Sequence, residues 1–244
     1  MADSISRRDF TRICGSMIAG AFAGSHLPAN AENRTEYPRA QLLNDNKQPV
    51  TAGNLDAGEP YLFFYPFVTT PCFLIDLDHS TSASSLADRS GNAYEWRGGV
   101  GPRKSIVAYS AICSHKMSHP AKEISFINYR HDAVSFYSTQ GKNEERSGVI
   151  SCCSERSIYD PRDGARVLSG PAPQPLAAIE IEADENTGFL YATASYGGDM
   201  YERFFEKFGF RASMEHRVSD PAKPVGETST IQKLADYSGQ TIKC

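Results

Sequence analysis

Two short segments carry side chains that could bind a metal. In AICSHKMSHP one residue separates Cys113 from His115, and in VISCC the residues Cys152 and Cys153 are adjacent. Thiolate and imidazole are ligands that suit iron, zinc and copper. A one-residue spacing on a tight loop lets two side chains reach one metal centre from the same side. Two such loops predict a metal centre with four donors.

Further features follow the cysteine pair in a fixed order: residues 158–160 read IYD, a glycine turn comes next, and residues 170–173 read GPAP. Together with the Cys-x-His segment, this order resembles the Rieske family over residues 61–194. In that family a Cys-x-His loop and a Cys-x-x-His loop hold a 2Fe-2S cluster, with two thiolates on the inner iron and two imidazoles on the outer iron. The resemblance implies that Cys113 and His115 bind different irons, and that GPAP is the loop covering the cluster.

The second loop can be aligned with the family in two registers. Counting back from the Tyr-Asp pair without a gap makes Cys152 the ligand and places Glu155 at the histidine position. Allowing one residue fewer between the ligand and the Tyr-Asp pair makes Cys153 the thiolate and places Arg156 at the histidine position. We favour the second register. In both, the second imidazole of the family is absent.

The fourth donor is therefore open. The candidates are Arg156, Glu155, the second of the adjacent cysteines and, by residue type alone, His119 and His131, although histidines more often have surface or structural roles. An anionic fourth ligand would lower the reduction potential relative to a two-histidine centre, because net cluster charge helps to set it.

A second chemistry for these residues is a mononuclear zinc or copper site. Cys113, His115, His119 and Cys153 would supply the nitrogen and sulfur donors of a tetrahedral centre. The spacing and Pro120 match no familiar zinc motif, so we prefer the cluster. A Rieske oxygenase is disfavoured too, since the six histidines include no two-histidine, one-carboxylate iron pattern.

The remaining cysteines bear on disulfides. Cytochrome bc-type Rieske proteins join one further cysteine from each loop, but the first-loop position here is Ser118, so we expect that disulfide to be missing. Outside the loops and the N-terminal segment, Cys72 and Cys244 remain as a pair. Because two cysteines remain and an exported protein reaches an oxidising compartment, we predict a disulfide between them. The alternative is two free thiols.

Short β-type segments surround the loops, at residues 61–67, 72–77, 94–96, 105–113, 123–129, 133–138, 148–153, 165–170, 176–184 and 188–195. Strands of this length, separated by turn residues, predict an all-β sandwich or barrel. The resemblance makes it an antiparallel Rieske-like fold with a cluster-binding subdomain, a C-terminal helix and an extension. The long connection between the loops predicts an inserted strand pair within residues 124–138.

One segment, residues 200–210, has helical periodicity, with Tyr201, Phe204 and Phe208 close to one face. We interpret this aromatic stripe as core packing rather than as a docking surface. The predicted organisation is a signal peptide at 1–31, a flexible lead at 32–56, a Rieske-like domain at 57–196 and a helix with a tail at 197–244.

The N-terminal segment has the plan of an export signal. Arg7 and Arg8 precede a short apolar run, and Ala29 and Ala31 form an A-x-A site that predicts a mature start near Glu32. The arginine pair resembles a twin-arginine signal, which exports proteins already folded around a cofactor. We expect a periplasmic protein. The apolar run is short for a membrane-spanning helix, so membrane contact is expected only if the signal stays uncleaved.

Composition limits the partners. The chain has 244 residues and is 40% hydrophobic, which allows a substantial core. With a formal charge of −4, the chain lacks the excess of positive charge that binds phosphate groups, which argues against nucleic acid as a partner. We predict an electron-transfer subunit of an oxidoreductase, not a catalyst by itself, that exchanges electrons with a cytochrome, a copper protein or an oxidoreductase large subunit. Ser157 and Tyr159 would tune the cluster potential by hydrogen bonds. The alternative is a degenerate Rieske fold without a cluster that serves as a scaffold.

Overall fold

The computed structural model describes residues 33–197 and 199–244. The signal peptide and the predicted cleavage site before Glu32 lie outside these residues. The described strands are β1 (Arg34–Leu43), β2 (Tyr61–Phe64), β3 (Pro71–Asp76), β4 (Ser84–Ala87), β5 (Ala93–Trp96), β6 (Ile106–Ser110), β7 (Ile127–Arg130), β8 (Val134–Tyr137), β9 (Asn143–Arg146), β10 (Val149–Cys152), β11 (Ser157–Asp160), β12 (Arg166–Ser169), β13 (Ile179–Ala183), β14 (Leu190–Tyr196), β15 (Thr228–Thr230) and β16 (Gln232–Lys233). The helices are α1 (Asp199–His216) and α2 (Leu234–Tyr237), with a short 3-10 turn at Ala52–Asn54.

Three four-stranded sheets form the body of the protein. Their strand orders are β13-β14-β1-β15, β16-β2-β3-β6 and β12-β11-β10-β7, and two hairpins, β4-β5 and β8-β9, stand beside them. Within the described ranges the strand pairs are antiparallel, except that β1 and β15 run parallel. This confirms the prediction of an all-β, mainly antiparallel fold with a C-terminal helix.

The sheet containing β2, β3 and β6 lies between the other two sheets. Its strand β3 is buried on both faces and therefore reads as an almost continuous apolar run. Because successive side chains point to opposite faces, Phe73 packs in the core shared with β7, β10 and β11. Cys72 and Leu74 pack instead in the core shared with β1, β13 and β14. The alternation thus sets the core into which Cys72 points.

Several elements differ from the sequence prediction. Residues 34–43 of the expected flexible lead form β1, which pairs with β14 and is fixed by an ion pair of 2.8 Å between Arg34 and Glu180. Parts of the polar tail form β15, β16 and α2. The inserted strands β7 and β8 both exist, but they pair with β10 and β9 rather than with each other. These strands are specified by distant partners, which local patterns do not reveal.

Helix α1 extends from Asp199 to His216, past the predicted end at residue 210. Its residues Tyr201 and Phe204 are buried against Ile112 and Met117 of the connection after β6, with Phe208 packed beside them. The core-packing interpretation of the aromatic stripe is confirmed. None of the helices in the described ranges is long and apolar enough to cross a membrane.

Candidate metal centre

The first loop follows β6 and doubles back on itself. The backbone N–H of Met117 donates to the carbonyl of Cys113 over 2.9 Å, and the N–H of Cys113 donates to the carbonyl of Ser118 over 2.8 Å. Met117 has a φ of +62°, in the left-handed region that such a tight turn requires. Met117 is also buried. The turn directs the side chain of Cys113 into the protein interior.

The second loop is the turn of the β10–β11 hairpin. Cys152 at the end of β10 lies opposite Ser157 at the start of β11, so residues 153–156 form the turn. Arg156 has a φ of +57°. Strand β10 is central in its sheet and is buried along its whole length, which places the side chain of Cys152 in the same core as Cys113.

Cys113 and Cys152 are neighbours in this core, close enough for their thiols to interact. This interaction, together with the Tyr159 hydroxyl 3.2 Å from the Cys113 sulfur and nearby backbone N–H groups, lowers the pKa of Cys113. The same interaction and burial raise the pKa of Cys152. The two thiols therefore titrate as a coupled pair, of which Cys113 loses its proton more readily.

Tyr159 connects the thiols to the GPAP segment. Its hydroxyl lies 3.3 Å from the hydroxyl of Ser114, which donates to the carbonyl of Gln174 over 2.7 Å. Gly170 has a φ of +86°, and a side chain at that position would meet the carbonyl oxygen of Arg156 at 2.5 Å. Only glycine permits this close approach. The GPAP segment is thus packed directly against the second loop.

Two buried polar atoms near the thiols lack a hydrogen-bond partner among the described residues: Nδ1 of His115 and Oγ of Ser157. An unpartnered buried polar atom is costly, and each such atom in a native protein calls for an explanation. His115 opens onto a cleft of about 340 Å³. Arg203 of α1 donates to the carbonyls of Ser114 and His115, both over 3.4 Å, so the helix holds the backbone of the first loop.

The two loops also contact each other at their outer edge. The hydroxyls of Ser118 and Ser154 are 3.0 Å apart. Beside them Lys116 forms an ion pair with Glu155. Ser154, Lys116 and Arg203 were not identified from the sequence. Ser154 could have been identified from the sequence. It lies two residues after Cys152 in the second loop, and its partner in the first loop, Ser118, had been identified as the position of the missing disulfide cysteine.

The structure corrects two predictions about sulfur. Cys153 is joined to Cys244 in a disulfide, with their Cα atoms 5.6 Å apart. The predicted Cys72–Cys244 disulfide is therefore wrong: Cys72 faces the opposite core and its thiol donates to the carbonyl of Tyr65 over 2.9 Å. Cys153 as the cluster thiolate is wrong for the same reason. Cys152 ends β10 and faces the core, whereas Cys153 begins the turn and its side chain lies against the C-terminal tail.

The other candidate donors lie elsewhere. Arg156 lines a separate cavity of about 590 Å³ together with Phe136, Tyr137 and Cys244. His119 is bonded through Nδ1 to the carbonyl of Met117 at 2.8 Å and packs edge-on against Phe204 and Phe208. His131 is exposed beside Gly58. Two of the four ligands considered for a mononuclear zinc or copper site are therefore engaged elsewhere. Cys153 forms a disulfide, and His119 packs in the core around α1.

In the described part of the chain, no group of three or more His, Cys, Asp or Glu side chains converges on a single point where it could hold one metal ion. A two-iron cluster requires a different arrangement of ligands, because one pair of ligands binds each of its two irons. Cys113 and Cys152, together in the core, supply one such pair, and His115, with a buried and unpartnered Nδ1, supplies one member of the other.

No family model matches the chain. Among solved structures, the chain is similar to the soluble domain of the Rieske protein II (soxF) from Sulfolobus acidocaldarius. The two are 28% identical, and the match covers 65% of this chain and 78% of that chain with a TM-score of 0.44.

Proposed function

We propose that this chain is a Rieske-like iron-sulfur protein that carries single electrons between partner proteins and transforms no substrate. One observation carries the proposal: Cys113 and Cys152, one from each loop, lie together inside the core, with the hydroxyl of Tyr159 3.2 Å from the Cys113 sulfur. Thiolates from two loops are the inner-iron ligands of a Rieske centre.

Four residues would serve a 2Fe-2S cluster directly. Cys113 and Cys152 would hold the inner iron, and Nδ1 of His115 would hold the outer iron. The buried hydroxyl of Ser157, which has no partner among the described side chains and backbone groups, would donate to the bound group. When bound, the cluster takes up and releases one electron at a time.

The surrounding residues set the environment of these donors. The Tyr159 hydroxyl lies 3.2 Å from the Cys113 sulfur, and burial keeps the pKa of Tyr159 well above its ordinary value, so that the hydroxyl retains its proton and can donate it to a thiolate. Core residues of both sheets exclude water from the thiols. The cleft at His115 opens this edge to solvent, and we expect a partner to exchange electrons here.

The location and partners are proposed with the function. An exported protein in the periplasm agrees with the N-terminal pattern, and the Cys153–Cys244 disulfide favours an oxidising compartment. The partner would be a cytochrome, a copper protein or an oxidoreductase large subunit. N-terminal sequencing of the periplasmic protein should give a start near Glu32, and replacing Arg7 and Arg8 with lysine should block export. A periplasmic protein that starts at Met1 would contradict cleavage.

Metal analysis tests the central proposal. Protein exported by its native pathway and purified without oxygen should contain about two irons and two sulfides per chain. After reduction with dithionite, it should give the EPR signal of a reduced 2Fe-2S cluster. The Cys113→Ser variant should lose both the iron and the visible absorption.

A second candidate is a scaffold of the same fold without a cluster. It is favoured by the missing second imidazole and by the ion pair that Glu155 makes with Lys116. Colourless protein without iron, purified as above, would support the scaffold and reject the electron carrier.

A further inference from the structure

We propose that Glu155 is the fourth donor of this centre, so that two thiolates, one imidazole and one carboxylate bind the cluster. This inference rests on the proposed function. It replaces Arg156, the residue that the sequence had favoured at this position.

The first support is the register of the second loop. Cys152 is the cysteine that contacts Cys113, while the sulfur of Cys153 is bonded to Cys244. The thiolate of this loop is therefore Cys152. The residue three positions later, at the spacing of the Cys-x-x-His loop, is Glu155.

The second support is the direction taken by each residue of the turn. Ser154 and Glu155 both contact the first loop, through Ser118 and Lys116. Lys116 and His115 line the same cleft, so the ion pair with Lys116 brings the carboxylate to the edge at which the imidazole lies.

Arg156 leaves this edge. Its left-handed backbone conformation turns the chain toward β11, and its side chain lines the cavity beside Cys244. Of the two remaining histidine candidates, His119 is held by Met117 and the aromatic side chains of α1, and His131 lies beside Gly58. Among the residues considered for the fourth position, Glu155 is the one that both faces the first loop and carries a ligand oxygen.

The ion pair with Lys116 is compatible with this role. A carboxylate has two oxygens, so one can bind iron while the other accepts a hydrogen bond from the lysine. Ligating carboxylates are commonly hydrogen-bonded in this way, which fixes their orientation. The side chain of Glu155 is 31% exposed and that of Lys116 is 57% exposed, so the carboxylate is the less exposed member of the pair.

The test compares Glu155→His with the matched control Arg156→His in anaerobically purified protein. Pulsed EPR counts the histidine nitrogens coupled to the reduced cluster, and a redox titration at one fixed pH gives the potential. We expect one coupled nitrogen in the wild type, two in Glu155→His, and one in Arg156→His. The potential should rise in Glu155→His alone, since a neutral donor replaces an anion. Glu155→Gln should retain less iron per chain than the wild type.

Each other outcome is decisive. Two coupled nitrogens in the wild type, a gain in Arg156→His, or a Glu155→His variant with unchanged nitrogen coupling and potential would each overturn the role of Glu155 while leaving the iron-sulfur function intact. Wild-type protein without iron would overturn both proposals. Thermal melting of the variants checks that they are folded.

Discussion

At the scale of single residues, the adjacent Cys152 and Cys153 show how a strand decides the chemistry of a sulfur atom. Cys152 faces the core and contacts Cys113. Cys153 faces the tail and is bonded to Cys244. The two residues have the same side chain and differ by one position, so the boundary between β10 and its turn separates a core thiol from a disulfide cysteine.

Cys152→Ser and Cys153→Ser therefore form a matched pair. We expect Cys152→Ser to lose the iron, sulfide and visible absorption, since a hydroxyl replaces one of the two buried thiols. Cys153→Ser should keep the cluster and lose only the disulfide. Iron and sulfide analysis of both variants measures this. Loss of the cluster from Cys153→Ser alone would restore the register that the structure rejects.

Tyr159 offers a test of the hydrogen bond to sulfur. In Tyr159→Phe the hydroxyl 3.2 Å from the Cys113 sulfur is lost. A hydrogen bond with a net value of about 1 kcal/mol corresponds to about 40 mV for a one-electron couple. We expect the potential to fall by about that amount, because the bond stabilises the more negative, reduced state. Tyr109→Phe is the control: this buried hydroxyl donates to the carbonyl of Pro161 instead and should leave the potential unchanged.

At the scale of elements, the first loop depends on α1. Arg203 and Lys207 donate to three successive carbonyls of the loop, those of Ser114, His115 and Lys116. Beneath them, Phe204 packs with Met117 and Ile112. A helix that is distant in sequence thus fixes the loop that carries two proposed ligands.

Phe204→Ala tests this support. Phe204 is fully buried, and truncating such a side chain typically costs about 3–5 kcal/mol of unfolding free energy. Phe210 is on the same helix and 82% exposed, so Phe210→Ala should change stability by less than about 0.5 kcal/mol. Chemical denaturation measures both. Equal effects of the two variants would mean that α1 does not pack on the first loop.

His119, between the first loop and α1, predicts a pH dependence. Burial lowers its pKa in the folded protein, with the Met117 carbonyl opposing the shift. Below a pH of about 6.5 the unfolded chain binds a proton that the folded protein resists. Stability is therefore full above that pH and declines as the pH falls toward the folded-state pKa. His119→Gln should show a shallower decline between pH 7.5 and pH 5.5 in denaturation experiments, although the similarly shifted His216 retains part of it. Equal slopes in variant and wild type would contradict this.

The elements also show what the sequence can and cannot reveal. Apolar runs such as β3 and β6 were predicted because burial on both faces leaves a local pattern. Strand β9, with the sequence NEER, has no apolar residue and exists because it pairs with β8. The motif residues of both loops were recognised from type and spacing. The partner of Cys244 was not, since counting cysteines carries no information about which face of a strand each one occupies.

At the scale of the whole molecule, the C-terminal tail connects the two loops. Residues 239–242 run along the segment between the first loop and β7, where the backbone N–H of Ser125 donates to the carbonyl of Gln240 over 2.8 Å and its carbonyl accepts from the N–H of Ile242 over 2.9 Å. Two residues further on, Cys244 is bonded to Cys153 of the second loop. The polar side-chain contacts between the loops, Ser118 with Ser154 and Lys116 with Glu155, are not covalent. The covalent link near the centre therefore runs through the tail.

The disulfide should therefore contribute measurably to stability. It closes a segment of 91 residues, for which the chain-entropy model gives about 4.6 kcal/mol, acting chiefly on the unfolded chain. We expect Cys153→Ser and Cys244→Ser to lower the free energy of unfolding by similar amounts. The double variant should be no less stable than either single variant, because both substitutions remove the same bond. Denaturation under non-reducing conditions measures the three variants, and Cys72→Ser is the control that leaves the crosslink in place. Additive losses in the double variant, or recovery of Cys244 paired with Cys72 in peptide maps of the wild type, would refute the assignment.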